Sequence, residues 1–353
     1  MAPVACRLRY SVCDPVKLPI RYLPAVFLLA LVLLAVGCNR GHHRGHEEAY
    51  VSAPQMVLRD RVAPVYTKTG TVTNGERVEV LERDRRFARV RTESGAEGWI
   101  EQRHLVTQQV FDGFQKLAQQ VQNDPVQGTA VTRNETNIHL DPGRDTEHLY
   151  EITQGTKVSI LKRAVAEKVL PGAPQAAGEE NGKPAQPIME DWWLIRDPQG
   201  HVGWVLSRMV DIDVPLDVAQ YAEGQRIIAA FVLDQVQDGD KKVPEYLMLL
   251  NEPKDGMPFD YNQIRVFTWN VKRHRYETAY RERNLNGMLP VTTSQETFDK
   301  GGMLPVFVLR VKDDSGNIVE RKYKLQTPIV SRVLAPGEQV AKPAARRSAR
   351  KRR

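Results

Sequence analysis

RFARVRTESGAEGWIEQRHLV, residues 86–106, aligns with a second stretch of the same chain, DWWLIRDPQGHVGWVLSRMV, residues 191–210. Phe87 pairs with Trp192, Val90 with Ile195, Gly95 with Gly200, Gly98 with Gly203, Trp99 with Trp204, Ile100 with Val205 and Arg103 with Arg208. Upstream, GTVTNGERVEVLER (70–83) aligns with LYEITQGTKVSILKR (149–163), matching Gly75 to Gly155, Val78 to Val158, Val80 to Ile160 and Leu81 to Leu161. An internal repeat sets the architecture before any local reading can. The offset grows from 80 to 105 across residues 164–188, AVAEKVLPGAPQAAGEENGKPAQPI, whose Pro, Gly and Ala content predicts a loop insertion in the second copy.

Each copy reads as short antiparallel strands. Asn74-Gly75 and Gln154-Gly155 supply tight turns, so Gly75 and Gly155 are structural, and alternating Val and Ile after each turn mark a half-buried strand. Ser94-Gly95 and Gln199-Gly200 make a second hairpin, and Gly-Trp opens the next strand. Trp99 and Trp204 are read as structural residues that close a small barrel core. Side chains alternate along a strand, so Trp193 and Ile195 share the core while Trp192 and Leu194 point outward as an apolar anchor. The alternative is that the insertion folds over Trp192 and buries it. In the first copy Phe87 and Arg89 occupy those two positions, a more polar face.

With MVLRD (56–60) and TNIHL (136–140) as first strands, which put Arg59 and His139 in equivalent places, the two copies resemble bacterial SH3 domains. The resemblance covers residues 50–106 and 129–211. It departs at Phe87-Ala88, where the family often has Trp-Tyr, and at the insertion. It implies a mainly β fold of two small SH3-like barrels and a ligand surface for cell-wall peptide or glycan. The candidate binding residues are Arg59, Phe87 and Arg89 in the first copy and His139, Trp192 and Leu194 in the second, with the second copy the better candidate for an active surface.

Residues 107–128 place Val110, Phe114, Leu117 and Val121 at helical spacing, predicting a linker helix. From 221 to 334 the pattern changes to longer strands such as RIIAAFVLDQV and LPVFVLRVKD, separated by turn clusters, which predict an antiparallel sheet or sandwich domain. Asp238, Asp240, Asp313 and Asp314 lack calcium-loop spacing and fit hairpin turns, and Trp269 reads as core. Residues 335–353 read as a disordered basic tail. Seven cations in the last twelve residues account for the net charge of +7, so the rest of the chain is near neutral and a nucleic-acid partner is not expected.

The first 37 residues combine Arg7, Arg9, Lys17 and Arg21 with the apolar run LPAVFLLALVLLAV (23–36) and Gly37. That is the order of a signal peptide. LAVGC resembles a bacterial lipobox, with Ala35 where Leu is commonest, which implies acylation of Cys38 and a membrane-lipid partner. Residues 38–49 are then a flexible tether whose His42, His43 and His46 read as spacer. The same resemblance implies, from Asn39 in the place where Asp would favour inner-membrane retention, the outer membrane of a two-membrane cell, facing the periplasm. Cys6 and Cys13 would leave with the leader, so no thiol nucleophile or disulfide is expected in the mature chain. No histidine pair has zinc-ligand spacing and no GxSxG elbow occurs, so neither a metal, a cofactor nor catalysis is expected. The expectation is a non-catalytic envelope lipoprotein that binds peptidoglycan or wall peptide. The alternative is a protein-protein scaffold of an envelope assembly without wall affinity.

Overall fold

The structure, a computed structural model, describes residues 47–169, 179–180, 183–184 and 187–334. The signal segment, Cys38, the histidine tether, the middle of the insertion and the basic tail lie outside the described residues. The chain is mainly β, built from three antiparallel sheets of seven strands each.

The first sheet, module 1, contains β1 (Glu47–Val51), β2 (Gln55–Arg59), β3 (Lys68–Thr73), β4 (Arg77–Asp84), β5 (Phe87–Thr92), β6 (Glu97–Glu101) and β7 (Leu105–Thr107). Its strand order is β3-β2-β6-β5-β4-β1-β7. Module 2 contains β8 (Gly128–Thr132), β9 (Thr136–His139), β10 (His148–Ile152), β11 (Lys157–Glu167), β14 (Met189–Arg196), β15 (Val202–Leu206) and β16 (Val210–Ile212). Substituting each strand by its repeat partner turns the first order into the second, β10-β9-β15-β14-β11-β8-β16. Even the irregularity repeats: the β4–β5 register slips at Leu81 and the β11–β14 register slips at the equivalent Leu161. Such bulges sharpen the twist that curls a small sheet.

Gly75 and Gly155 hold φ of +76° and +78°, a left-handed turn that side-chain-bearing residues seldom adopt. Gly98 and Gly203 have a different reason. A Cβ at Gly98 would sit 2.6 Å from the Leu58 Cβ, and one at Gly203 would sit 2.3 Å from the Ile138 Cγ2. The glycine of each Gly-Trp pair therefore faces the core, where β2 or β9 crosses at close range. Alternation then sends Trp99 and Trp204 to the opposite face, away from the main core, where Trp204 packs against the cluster of Leu194.

The insertion is less of a loop than its composition suggests. Its first residues continue β11, pairing Ala164 with Trp192 and Glu167 with Met189, and β12 (Glu179–Glu180) pairs with β13 (Lys183–Pro184) as a ribbon. Once two strands are in register, extending the ladder satisfies backbone groups that a loop would leave to water.

Helix α1 (Gln108–Gln120) starts at Thr107, whose hydroxyl accepts the Val110 N–H. Phe111 stacks on Tyr50 of module 1 at 3.9 Å between ring centroids, while Phe114 is buried in the core of module 2. The turn of module 1 also reaches module 2, because the Asn74 side-chain amide donates to the Leu149 carbonyl at 2.7 Å.

The third sheet is a simple meander: β17 (Arg226–Asp238), β18 (Lys241–Asn251), β19 (Tyr261–Asn270), β20 (Arg275–Phe298), β21 (Gly302–Lys312), β22 (Ile318–Gln326) and β23 (Ile329–Val333). One face, with Leu247, Leu249, Ile264, Val266 and Phe307, merges with Ile138, Ile160, Trp193 and Ile195 of module 2 into one hydrophobic core. Its other face, including Met248, Leu250 and Phe267, is covered by Val218 and Ala222 around the short helix α2 (Leu216–Ala219). Module 1 keeps its own core of Leu58, Val72, Val78, Val80, Val90 and Ile100.

A buried ionic network ties module 2 to the meander. Arg163 donates to Asp191 at 2.7 Å and Asp260 at 3.1 Å, and Arg226 bridges Asp191 and Asp255 at 2.8 and 2.7 Å. Arg163 also donates to the carbonyls of Met257 and Phe259. Charges this dry persist only when each is paired and hydrogen-bonded. Of the turn aspartates, Asp313 accepts the Ser315 and Asn317 N–H groups, and Asp238 accepts the indole N–H of the partly buried Trp269.

Candidate ligand-binding face

Register defines the outer face of both modules. In module 1, Arg59 and Arg89 both lie opposite Trp99, and Phe87 lies opposite Glu101. In module 2, His139 and Leu194 both lie opposite Trp204, and Trp192 lies opposite Leu206. The alternation expected from the sequence therefore holds: Trp192 and Leu194 are on the face away from the core residues Trp193 and Ile195. Their exposure does not follow.

Leu194 is 1% exposed and packs with Val121, Leu161 and Val202, with Leu117, Ala118 and Trp204 against them. The end of α1 and the residue after it lie over this face of module 2. Trp192 is 2% exposed, with the His139 ring edge-on at 5.3 Å. Burial pulls the His139 pKa down to about 4, with His148 nearby adding to the effect, so its imidazole is neutral at ordinary pH. The apolar anchor expected on the second copy is thus a closed secondary core. That corrects the expectation for Trp192 and Leu194, and with it the preference for the second copy. The physical reason for Leu194 is that Leu117 and Ala118 of α1 and the following Val121 pack against it, while Trp192 lies against the His139 ring.

Module 1 carries a half-open version of the same face. Arg89, at the position of Leu194, is exposed. It pairs with Glu97 at 2.7 Å, and Arg91 pairs with Glu97 and Glu79 at 2.7 and 2.9 Å. These arginine donors, Arg91 first, hold the Glu97 carboxyl below its usual range. Phe87 is buried at 5% exposure, its ring flanked by Arg59 and Arg86. The half-buried Arg59 guanidinium lies 4.4 Å from the Tyr66 ring centroid and 5.8 Å from that of Phe87. Trp99 is half-buried beside it.

Tyr66 was not singled out by sequence reasoning. It belongs to the β2–β3 loop, whose tip exposes Val62, Val65 and Tyr66, Val65 by 84%. The available signal was RVAPVY, an apolar hexad with Pro between two strands, where a solvated loop would be polar. The loop is pinned at its base: the Asp60 carboxylate accepts the Thr67 N–H at 2.7 Å, and the Asp60 N–H donates to the Thr67 carbonyl at 3.0 Å. Arg61, with Thr67 after it, keeps the Asp60 carboxyl below its usual range.

Residues 61–106 match the bacterial SH3 domain family. The match begins two residues after Arg59 and contains Tyr66, Phe87, Arg89 and Trp99. No curated protein matches the chain. Among solved structures, an NlpC/P60 family protein from Bacillus cereus is similar over 54% of this chain and 65% of that one, less than two thirds of its length, at 14% identity and a TM-score of 0.21. NlpC2 from Trichomonas vaginalis is similar over 78% of this chain and 96% of that one, at 12% identity and a TM-score of 0.16. Likenesses this loose carry no functional information.

Other chemistry is sparse. Among the described residues no group of three or more His, Cys, Asp or Glu is placed to hold a metal ion, and no helix is long and apolar enough to cross a membrane. His201 stacks on Tyr150 at 3.7 Å and pairs with Asp197, and His274 pairs with Asp238.

Proposed function

We propose that this chain is a non-catalytic, lipid-anchored protein of the cell envelope whose SH3 module binds peptidoglycan or wall peptide. The binding surface is the outer face of module 1, made by Arg59, Tyr66, Phe87, Arg89 and Trp99. Module 2, a second SH3-like unit of the same strand order, serves as the strut that α1 and the meander lock in place. Acyl chains on Cys38 would hold the assembly at a membrane, the outer one in a two-membrane cell, with the residues between Cys38 and β1 as the tether; Glu47–Ala49, expected in that tether, belong to β1 instead.

One observation carries this reading: the face that α1 closes in module 2 is left open in module 1, with a half-buried Trp99, the exposed Arg89 and an apolar pinned loop beside it. Exposed aromatic and apolar side chains next to fixed polar groups are what a peptide or sugar needs to settle on. Sedimentation of the full chain with isolated peptidoglycan sacculi tests the reading. Retention that Trp99→Ala abolishes and Leu194→Ala spares is the expected result. Absence of retention above a control protein removes wall binding and favours a scaffold that contacts only other proteins.

A further inference from the structure

We propose that module 1 recognises a carboxylate through Arg59, so that its ligand is a short peptide with a free acidic end rather than a neutral glycan. This rests on the binding role given to the face above and narrows its ligand.

Arg61, Arg77, Arg89, Arg91 and Arg103 each form an ion pair with a carboxylate of the same module. Arg59, half-buried and therefore partly stripped of water, lies against the Tyr66 and Phe87 rings and has no carboxylate partner among the described residues. A guanidinium is a planar fork with five N–H donors in its edge. Ring contacts satisfy its charge from the flat side and leave edge donors for a bidentate acceptor. The nearest acid in sequence, Asp60, is already committed to Arg61 and the Thr67 N–H.

Two further observations favour a peptide over a sugar. A sugar would stack on a fully open aromatic face, yet Phe87 is buried, Trp99 is half-buried and Arg59 already lies over the Tyr66 ring. Beside Arg59 the loop offers Val62 and Val65, 41% and 84% exposed, as contacts for small apolar side chains. Module 2 lacks the receptor: His139, at the register position of Arg59, is turned onto Trp192 and its Nδ1 lies 3.1 Å from the Thr146 hydroxyl.

The test is calorimetric titration of the full chain in detergent with three probes: acetylated dialanine as the free acid, the same peptide as its C-terminal amide, and a neutral N-acetylglucosamine trimer. The free acid is expected to bind at least tenfold more tightly than the amide or the trimer. Arg59→Met brings acid and amide to parity, Arg59→Lys keeps part of the preference, and Arg77→Met, whose cation is paired with Glu93 away from the binding face, leaves it intact. Unfolding midpoints of the Arg59 variants close to the parent's confirm that the module remains folded. Equal binding of acid and amide by the parent, tighter binding of the trimer, or an acid preference that survives Arg59→Met overturns the assignment. If sacculi are still retained through Trp99 while the acid shows no advantage, only the carboxylate assignment falls. If neither sacculi nor any probe binds, the binding face itself falls.

Discussion

Leu194→Ala discriminates between an open anchor and a closed secondary core. The side chain is 1% exposed, wedged among Val121, Leu161 and Val202 beneath the end of α1. Truncation removes three carbons from this site. At about 0.8 kcal/mol per buried methylene the transfer loss alone is about 2.4 kcal/mol. The residual cavity adds to it, because α1 is held at its other end by the Phe111–Tyr50 stack and cannot follow the missing atoms inward, so the total should be about 3–4 kcal/mol, within the usual range for buried Leu→Ala. An exposed leucine would cost no more than about 0.5 kcal/mol. Urea denaturation, followed by tryptophan fluorescence and by far-ultraviolet circular dichroism, reads the difference as a lower midpoint at unchanged slope. A loss below about 1 kcal/mol would refute the packing of α1 on module 2. Loss of sacculus binding without loss of stability would restore the second copy as the ligand surface.

The buried network predicts that Arg163→Leu costs about 3–5 kcal/mol, because the buried Asp260 loses its cation and Asp191 keeps only Arg226; a cost under about 1 kcal/mol in the same assay contradicts the pairing. Gly75→Ala, at φ +76° and with the Tyr150 ring 3.4 Å from the new Cβ, should cost about 1–2 kcal/mol, whereas Ser94→Ala, exposed in the β5–β6 hairpin, should stay within about 0.5 kcal/mol. His139 has a folded pKa of about 4 against an ordinary 6.5, so the unfolded chain binds the extra proton first. Its contribution is complete above about pH 6.5 and is lost as pH falls toward 4, with His148, also lowered by burial, acting in the same direction. His139→Phe should flatten stability between those two pH values, and an unchanged slope would show that another group titrates there.

The repeated strand order is legible in pairs such as Gly98-Trp99 and Gly203-Trp204. Turn glycines and strand alternation act over a few residues, so the hairpins and the two-faced strands follow from local composition. The meander was legible in the same way, as a succession of apolar runs and turn clusters. The site was legible only in part. Arg59, Phe87 and Arg89 were picked out by their place in the repeat, but Tyr66 was passed over because a loop residue has no period to betray it. A Gly-Trp pair does not reveal which of its two members meets the crossing strand, so only the structure shows that Gly98 does.

By itself the amino-acid order determined the mainly β composition, the repeated strand plan and which side chains share a face. Only the tertiary structure decided what lies over each face. Trp192 and Leu194 alternate outward as local geometry requires, yet both are buried, and Leu194 is sealed because α1, after touching module 1 through Phe111, places Leu117, Ala118 and the following Val121 against it. Alternation is a property of one strand and can be read from a few residues. Cover is supplied by a segment tens of residues away, whose course depends on the packing of everything between.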